Sequence, residues 1–167
     1  MALRNIRHDE DEILRKNSKI VKNFDDRLKE LANDMIDTMN DAEGVGLAAV
    51  QVGILKQMIV IDIGEGPMVF VNPDIIETEG KCDDYEGCLS VPGYSGLVER
   101  PQKLKVKYQD LDGKEHELET EGFLTRVICH ETDHLKGILY TDKAKKMYTN
   151  EELKAKLDKE HKKEEAK

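Results

Sequence analysis

Two histidines and a glutamate stand close together in the stretch "FLTRVICHETDHLKG": His130, Glu131 and His134. On a helix, positions four apart share a face, so both imidazoles can reach a single point, with Glu131 one step to the side. Such a helix can give a metal two nitrogen ligands while the carboxylate faces a water beside the ion. With only 5 histidines in 167 residues, chance supplies the pattern in roughly two of a hundred chains of this composition. The bland reading is a pair of core histidines satisfied by backbone carbonyls.

A catalytic metal site needs three protein groups and one position left for water. Cys88, in "YEGCLSVPG", is the candidate third ligand, because Gly87 lets the backbone turn and leaves the thiolate free to approach. Alone it would be weak evidence, since a buried cysteine most often acts as a small hydrophobe. Cys129 projects roughly 100° around the helix from His130 and is expected in the core. Glu86 and Arg100 are expected to pair and brace the "GCLS" segment. Asp133 is expected on a solvated face, because on the helix it points away from both histidines.

These groups need elements to hold them. From Asp25, "DDRLKELANDMIDTMNDAEG" places Leu28, Leu31, Met35 and Met39 at helical spacing, with Gly44 beyond the end. "GVGLAAVQVG" is too glycine-rich for a helix interior and too apolar for a solvated loop, which implies backbone held close to something. "KQMIVIDIG" and "PMVFVNPDIIETEG" read as strands, being rich in β-branched residues and bounded by glycine or proline. The alternation in "KLKVKYQDLDGKEHELETE" around an Asp-Gly pair predicts a hairpin. On the motif helix, Phe123, Val127, His130 and His134 form one stripe and Leu124, Ile128, Glu131 and Leu135 the next, both predicted to face inward. The segment from Thr149 opens with a capping box to Glu152 and then loses apolar residues, predicting a helix that frays over about 150–167.

The totals set bounds. A chain of 167 residues without internal repeats or a Pro- or Ser-rich linker is expected to be one domain, 1–167. A net charge of -9 argues against DNA and anionic membranes as partners, since both repel an acidic surface. The N-terminal "MALRNIRHDEDEILRK" lacks the apolar run of a signal peptide, so a cytoplasmic home is expected, where Cys82, Cys88 and Cys129 stay reduced.

"GVGLAAVQ", "EGCLS" and "HETDH", in that order and spacing, resemble the three signature motifs of the peptide deformylases, and the likeness runs from "ILRKNSKIV" through the final helix. The resemblance implies an α+β fold: antiparallel sheets packed around a central metal-binding helix, with an N-terminal amphipathic helix and a C-terminal helix. It implies one divalent metal on Cys88, His130 and His134, ferrous iron foremost, with zinc, nickel or cobalt able to substitute. The implied reaction removes the formyl group from N-formylmethionine of bacterial nascent peptides and releases formate.

By the same resemblance Glu131 is base and then acid, while Gln51 and the amide of Leu89 donate to the formyl oxygen. Gly44, Val45 and Gly46 would pair with the incoming peptide as an added strand does, with Glu86 and Gly87 also along the groove. Phe123 and Val127 are the candidates for the methionine pocket, plain core being the equal alternative. The short "PGYSGLVE" is expected as a loop between Ser90 and Arg100. From Asp142 to Lys167 there are 9 lysines against 7 acids, a modest local excess that the family connects with a ribosome-facing tail; the plain alternative is a solvated helix. "HETDH" alone would equally fit a metalloprotease, and a structural metal would need a fourth protein ligand; "EGCLS" favours the deformylase.

Overall fold

The computed structural model describes residues 2–165. Eight strands form two antiparallel sheets: β1 (Gly46–Ala48), β2 (Met58–Ile61), β3 (Met68–Glu79), β6 (Lys103–Gln109) and β7 (Glu115–Glu121) in the order β1-β2-β3-β6-β7, and β4 (Cys82–Cys88), β5 (Val91–Arg100) and β8 (Lys146–Thr149) in the order β4-β5-β8. Three α-helices accompany them: α1 (Asp26–Asp41), α2 (Phe123–His134) and α3 (Asn150–Glu165).

Helix α1 starts where Asp25 accepts a hydrogen bond from the Leu28 amide at 3.1 Å, satisfying one of the free amides of the first turn. Leu28, Leu31, Met35 and Met39 are all buried, as their spacing predicts. The helix ends when Glu43 takes the left-handed conformation (φ 58°) and the Gly44 amide reaches back to the Met39 carbonyl at 2.9 Å.

Strand β2 shows how the core is divided. Met58 and Val60 pack into the cluster that contains the α1 side chains, while Ile59 and Ile61 pack into the cluster that contains Val127 and Ile128 of α2. Alternate residues of a strand face opposite ways, so an unbroken apolar run here means burial on both faces. Helix α2 therefore lies inside the molecule, with every residue from Thr125 to His134 buried.

The hairpin forms as expected, with β6 and β7 in register from Lys103↔Glu121 to Gln109↔Glu115. Two expectations change. "PGYSGLVE" is strand, not loop: β5 pairs with β4 on one side and with β8 on the other, which outweighs the turn character of Pro92 and Gly93. The turn character survives only as a local irregularity, where Gly93 sits at φ 85° and pairing jumps from Cys88↔Val91 to Glu86↔Gly96. Helix α3 begins at Asn150, where the capping sequence placed it, and runs to Glu165 with a His161–Glu165 pair at 3.0 Å, while 166–167 lie outside the described residues. The second change concerns Asp133, which is buried within the site described next.

Candidate metal centre and substrate groove

Cys88 ends β4, and the two-residue turn Leu89–Ser90 leads into β5. This places the thiol beside α2: Cys88 Sγ lies 3.4 Å from His134 Nε2. One ligand atom from each of Cys88, His130 and His134 falls within 4.8 Å of the others.

Each imidazole is prepared differently. His130 Nδ1 donates to Glu86 Oε1 at 2.8 Å, which fixes the ring with its other nitrogen toward Cys88. Burial alone would depress the His130 pKa, but Glu131, Cys88 and Glu86 around it raise it well above the ordinary value. Burial, reinforced by the positive field of His130 and Arg100, holds His134 well below its ordinary value, so its ring is neutral and able to ligate.

The Glu86 carboxylate is itself held by buried cations. Arg100 Nε and Nη2 donate to its two oxygens, each at 2.9 Å, and Arg126 Nη1 donates to Oε2 at 2.7 Å. Burial opposes ionisation of Glu86, yet the hydrogen bonds from Arg100 and His130 bring its pKa down to about 2. The expected Glu86–Arg100 pair is present, and it reaches further than the sequence suggested. Arg100 Nη1 donates to Asp133 at 2.6 Å, and Asp133 also meets Lys143 at 3.0 Å. Asp133 is thus not on a solvated face: it points away from the histidines but into the guanidinium that braces them.

Glu131 lies on the opposite side. It is buried, its Oε1 has no hydrogen-bond partner, and that oxygen sits 3.9 Å from His134 Nε2. Burial raises its pKa to about 7, the His130 charge pulling the other way. Gly46 of β1 passes directly over this carboxylate, so close that a Cβ there would collide with the Glu131 side chain.

Gln51 is fixed at both ends of its amide. Its Oε1 accepts from the Ala48 amide at 2.9 Å, and its Nε2 donates to Ser90 Oγ at 3.0 Å and lies 3.6 Å from Cys88 Sγ. From behind, the N-terminal segment ties the same two stretches together: the Arg7 amide donates to the Gln51 carbonyl at 2.7 Å, and the Asp9 amide to the Ser90 carbonyl at 2.9 Å.

A cavity of about 400 Å³ opens over these groups. Gly44, Val45 and Gly46 line it, as do Leu89, Gly87 and the α2 residues Phe123 and Val127. Val127 is buried, whereas Phe123 is 55% exposed and forms part of the rim, not the core. Cys129 is buried in the core with its thiol raised to about 11 by burial, which leaves it protonated and inert. The sequence reading missed Arg126, Ser90 and Tyr140, whose ring stacks on His130 at 5.8 Å between centroids. No local pattern marks them, since their roles come from long-range contacts.

The donor set would suit a divalent transition metal: one soft sulfur and two imidazole nitrogens, with an unpaired buried carboxylate oxygen alongside. Fold and site together define an α+β metallohydrolase. Residues 3–150 match the model of the polypeptide deformylase family. The chain is 59% identical over 153 residues to a peptide deformylase of Caldicellulosiruptor bescii, covering 92% of each chain. It is 55% identical over 143 residues to peptide deformylase 1 of Clostridium acetobutylicum, covering 86% of this chain and 95% of that one. Among solved structures, the peptide deformylase of Thermotoga maritima superposes with a TM-score of 0.86 at 43% identity, over 87% of this chain and all of that one. The enzyme from Synechococcus elongatus in complex with actinonin gives 0.82 at 43% identity, over 92% and 84%. The chain belongs to the peptide deformylase family, the metal-dependent enzymes that remove the N-formyl group from nascent peptides.

Proposed function

We propose that Cys88, His130 and His134 hold the metal of this deformylase, with ferrous iron the preferred ion and zinc, nickel or cobalt able to replace it. When bound, the metal supplies a water activated near neutral pH and polarises the formyl oxygen. Glu131 accepts the proton of the attacking water and returns it to the methionine amine as formate departs. Its free, buried oxygen suits a group that must both take and give a proton.

Gln51 Nε2, held in place by Ser90, and the Leu89 amide donate to the formyl oxygen as charge builds there. The Gly44–Gly46 backbone pairs with the peptide, and the methionine side chain packs against Val127 under the rim formed by Phe123. Glu86 lines this wall as well, but with both oxygens engaged by Arg100, Arg126 and His130 it acts by fixing the His130 ring.

The setting we favour is the bacterial cytoplasm, with 1–167 acting as a single catalytic domain. Among the described residues no helix is long and apolar enough to cross a membrane. A ribosome-facing role for α3 is a separate reading, motivated by its exposed lysines. Deletion after Thr149 should weaken co-sedimentation with ribosomes, and unchanged co-sedimentation removes the idea.

The observation that carries the assignment of residues is the meeting of one sulfur and two imidazoles beside an unpaired carboxylate oxygen. Metal content and formate release from formylmethionyl peptide, measured together on the purified protein and on Cys88→Ala, test it. The parent should carry about one metal and release formate, and the variant should lose both. A variant that keeps its metal and its turnover removes Cys88 from the site.

A further inference from the structure

Asn150 opens α3, yet it also lines the cavity that holds Cys88, His130 and Glu131. Its side chain is oriented by Ser95, whose Oγ donates to Asn150 Oδ1 at 2.9 Å. Ser95 lies against Gly87, where an added Cβ would sit 3.7 Å from its Oγ. Gly87 adjoins Cys88 in sequence, so the Ser95–Asn150 pair borders the groove one residue from the thiol. With Oδ1 occupied, Asn150 has two N–H donors to offer, and among the described residues Nδ2 makes no hydrogen bond.

Lys156 ties the helix that begins at Asn150 to the groove wall. Helix α3 has no buried residue, and of its leucines only Leu153 is half-buried, so apolar packing holds it weakly. Instead Lys156 Nζ donates to the hydroxyls of Tyr85 and Tyr148, each at 3.1 Å, and lies 5.7 and 5.1 Å from their ring centroids. The two rings meet edge to face at 5.9 Å, forming a two-sided cage for the ammonium. Tyr85 stands on β4 and lines the same cavity, while Tyr148 stands on β8, paired with Ser95 of β5. The cage therefore spans from the helix to the groove wall. The family match ends at residue 150, so Lys156 lies beyond it.

We propose that Asn150 is a specificity-determining residue whose Nδ2 donates to a backbone carbonyl of the substrate downstream of the formylmethionine, and that the Lys156–Tyr85–Tyr148 cage positions it. The inference rests on this cavity being the substrate groove. An uncharged amide donor recognises a peptide carbonyl whatever side chain accompanies it, which suits an enzyme that meets every nascent sequence. Helix α3 is on this account a wall of the groove.

The test compares kcat/KM for formyl-Met-Ala-Ser with that for formylmethionine amide, which ends before the carbonyls in question. One hydrogen bond of this kind is worth about two- to tenfold. The tripeptide-to-amide ratio should fall by that factor in Asn150→Ala and also in Lys156→Ala, a residue that does not line the cavity. A parallel loss on both substrates, leaving the ratio unaltered, is what a merely structural role gives and overturns the proposal. A fall in Asn150→Ala without one in Lys156→Ala overturns the cage. Absence of formate from either substrate with the parent protein overturns the reading of the groove itself, and this inference with it.

Discussion

His130 Nδ1 donates to Glu86 Oε1 across 2.8 Å, joining two residues 44 positions apart. The same carboxylate receives Arg100 and Arg126, so one buried anion orients a candidate metal ligand and is shared by two guanidinium groups, of which Arg100 also meets Asp133. Substitution Glu86→Gln keeps the shape and removes the charge. Metal affinity should fall about 10- to 100-fold, read by competition with a chelator. Affinity equal to that of the parent would show that the ring needs no such anchor.

Acid should attack the same group. Glu86 has its folded pKa lowered from 4.5 to about 2, so its stabilising contribution is complete above about 4.5 and is lost as pH falls toward 2. The shift corresponds to on the order of 3 kcal/mol. The difference in unfolding free energy between the parent and Glu86→Gln should shrink across that window. A difference that stays constant from pH 6 to pH 2.5 contradicts the linkage.

Glu131→Gln separates binding from chemistry. The variant should keep its metal, because Cys88, His130 and His134 are untouched, while kcat falls by at least about 10²-fold. Metal analysis beside single-turnover formate release reads both. Near-normal turnover would move the proton transfer elsewhere.

At Gly46 a methyl group has nowhere to go except into Glu131. Gly46→Ala should displace the carboxylate and cost about 1–3 kcal/mol of stability, as overpacking commonly does. Activity should drop by more than this destabilisation explains, as seen by comparing kcat at a temperature where the variant is fully folded. Retention of full kcat would show that the carboxylate tolerates the shift.

A ferrous ion on a thiolate is open to oxidation, so activity of the iron form should decay in air, while nickel- or cobalt-loaded protein should persist. Half-lives compared under air and under argon decide it. Equal half-lives for all three metals would contradict iron as the sensitive centre.

Much of this was legible in the chain. "HETDH" specifies its own geometry because helical spacing is local, and "EGCLS" is marked by glycine beside cysteine. Strands β4 and β8 escaped notice, since "KCDDYEG" and "KMYT" show neither β-branched richness nor a clean alternation. Asp133 was misplaced for a related reason. Helical geometry tells which way a side chain leaves its own helix, but not that Arg100, 33 residues earlier, waits there. Arg126 gave no signal at all, being a cation in an otherwise inward-facing stretch whose partner lies 40 residues away.

The amides of Arg7 and Asp9 clasp the carbonyls of Gln51 and Ser90, which bears on the order in which the molecule can assemble during its own synthesis. Arg7 finds its partner once residue 51 has been made and Asp9 only after residue 90, and the two histidines follow some forty residues later. The strap from Arg7 to Asp9 is therefore fastened in two stages, the second only after the partner of Arg7 is already in place.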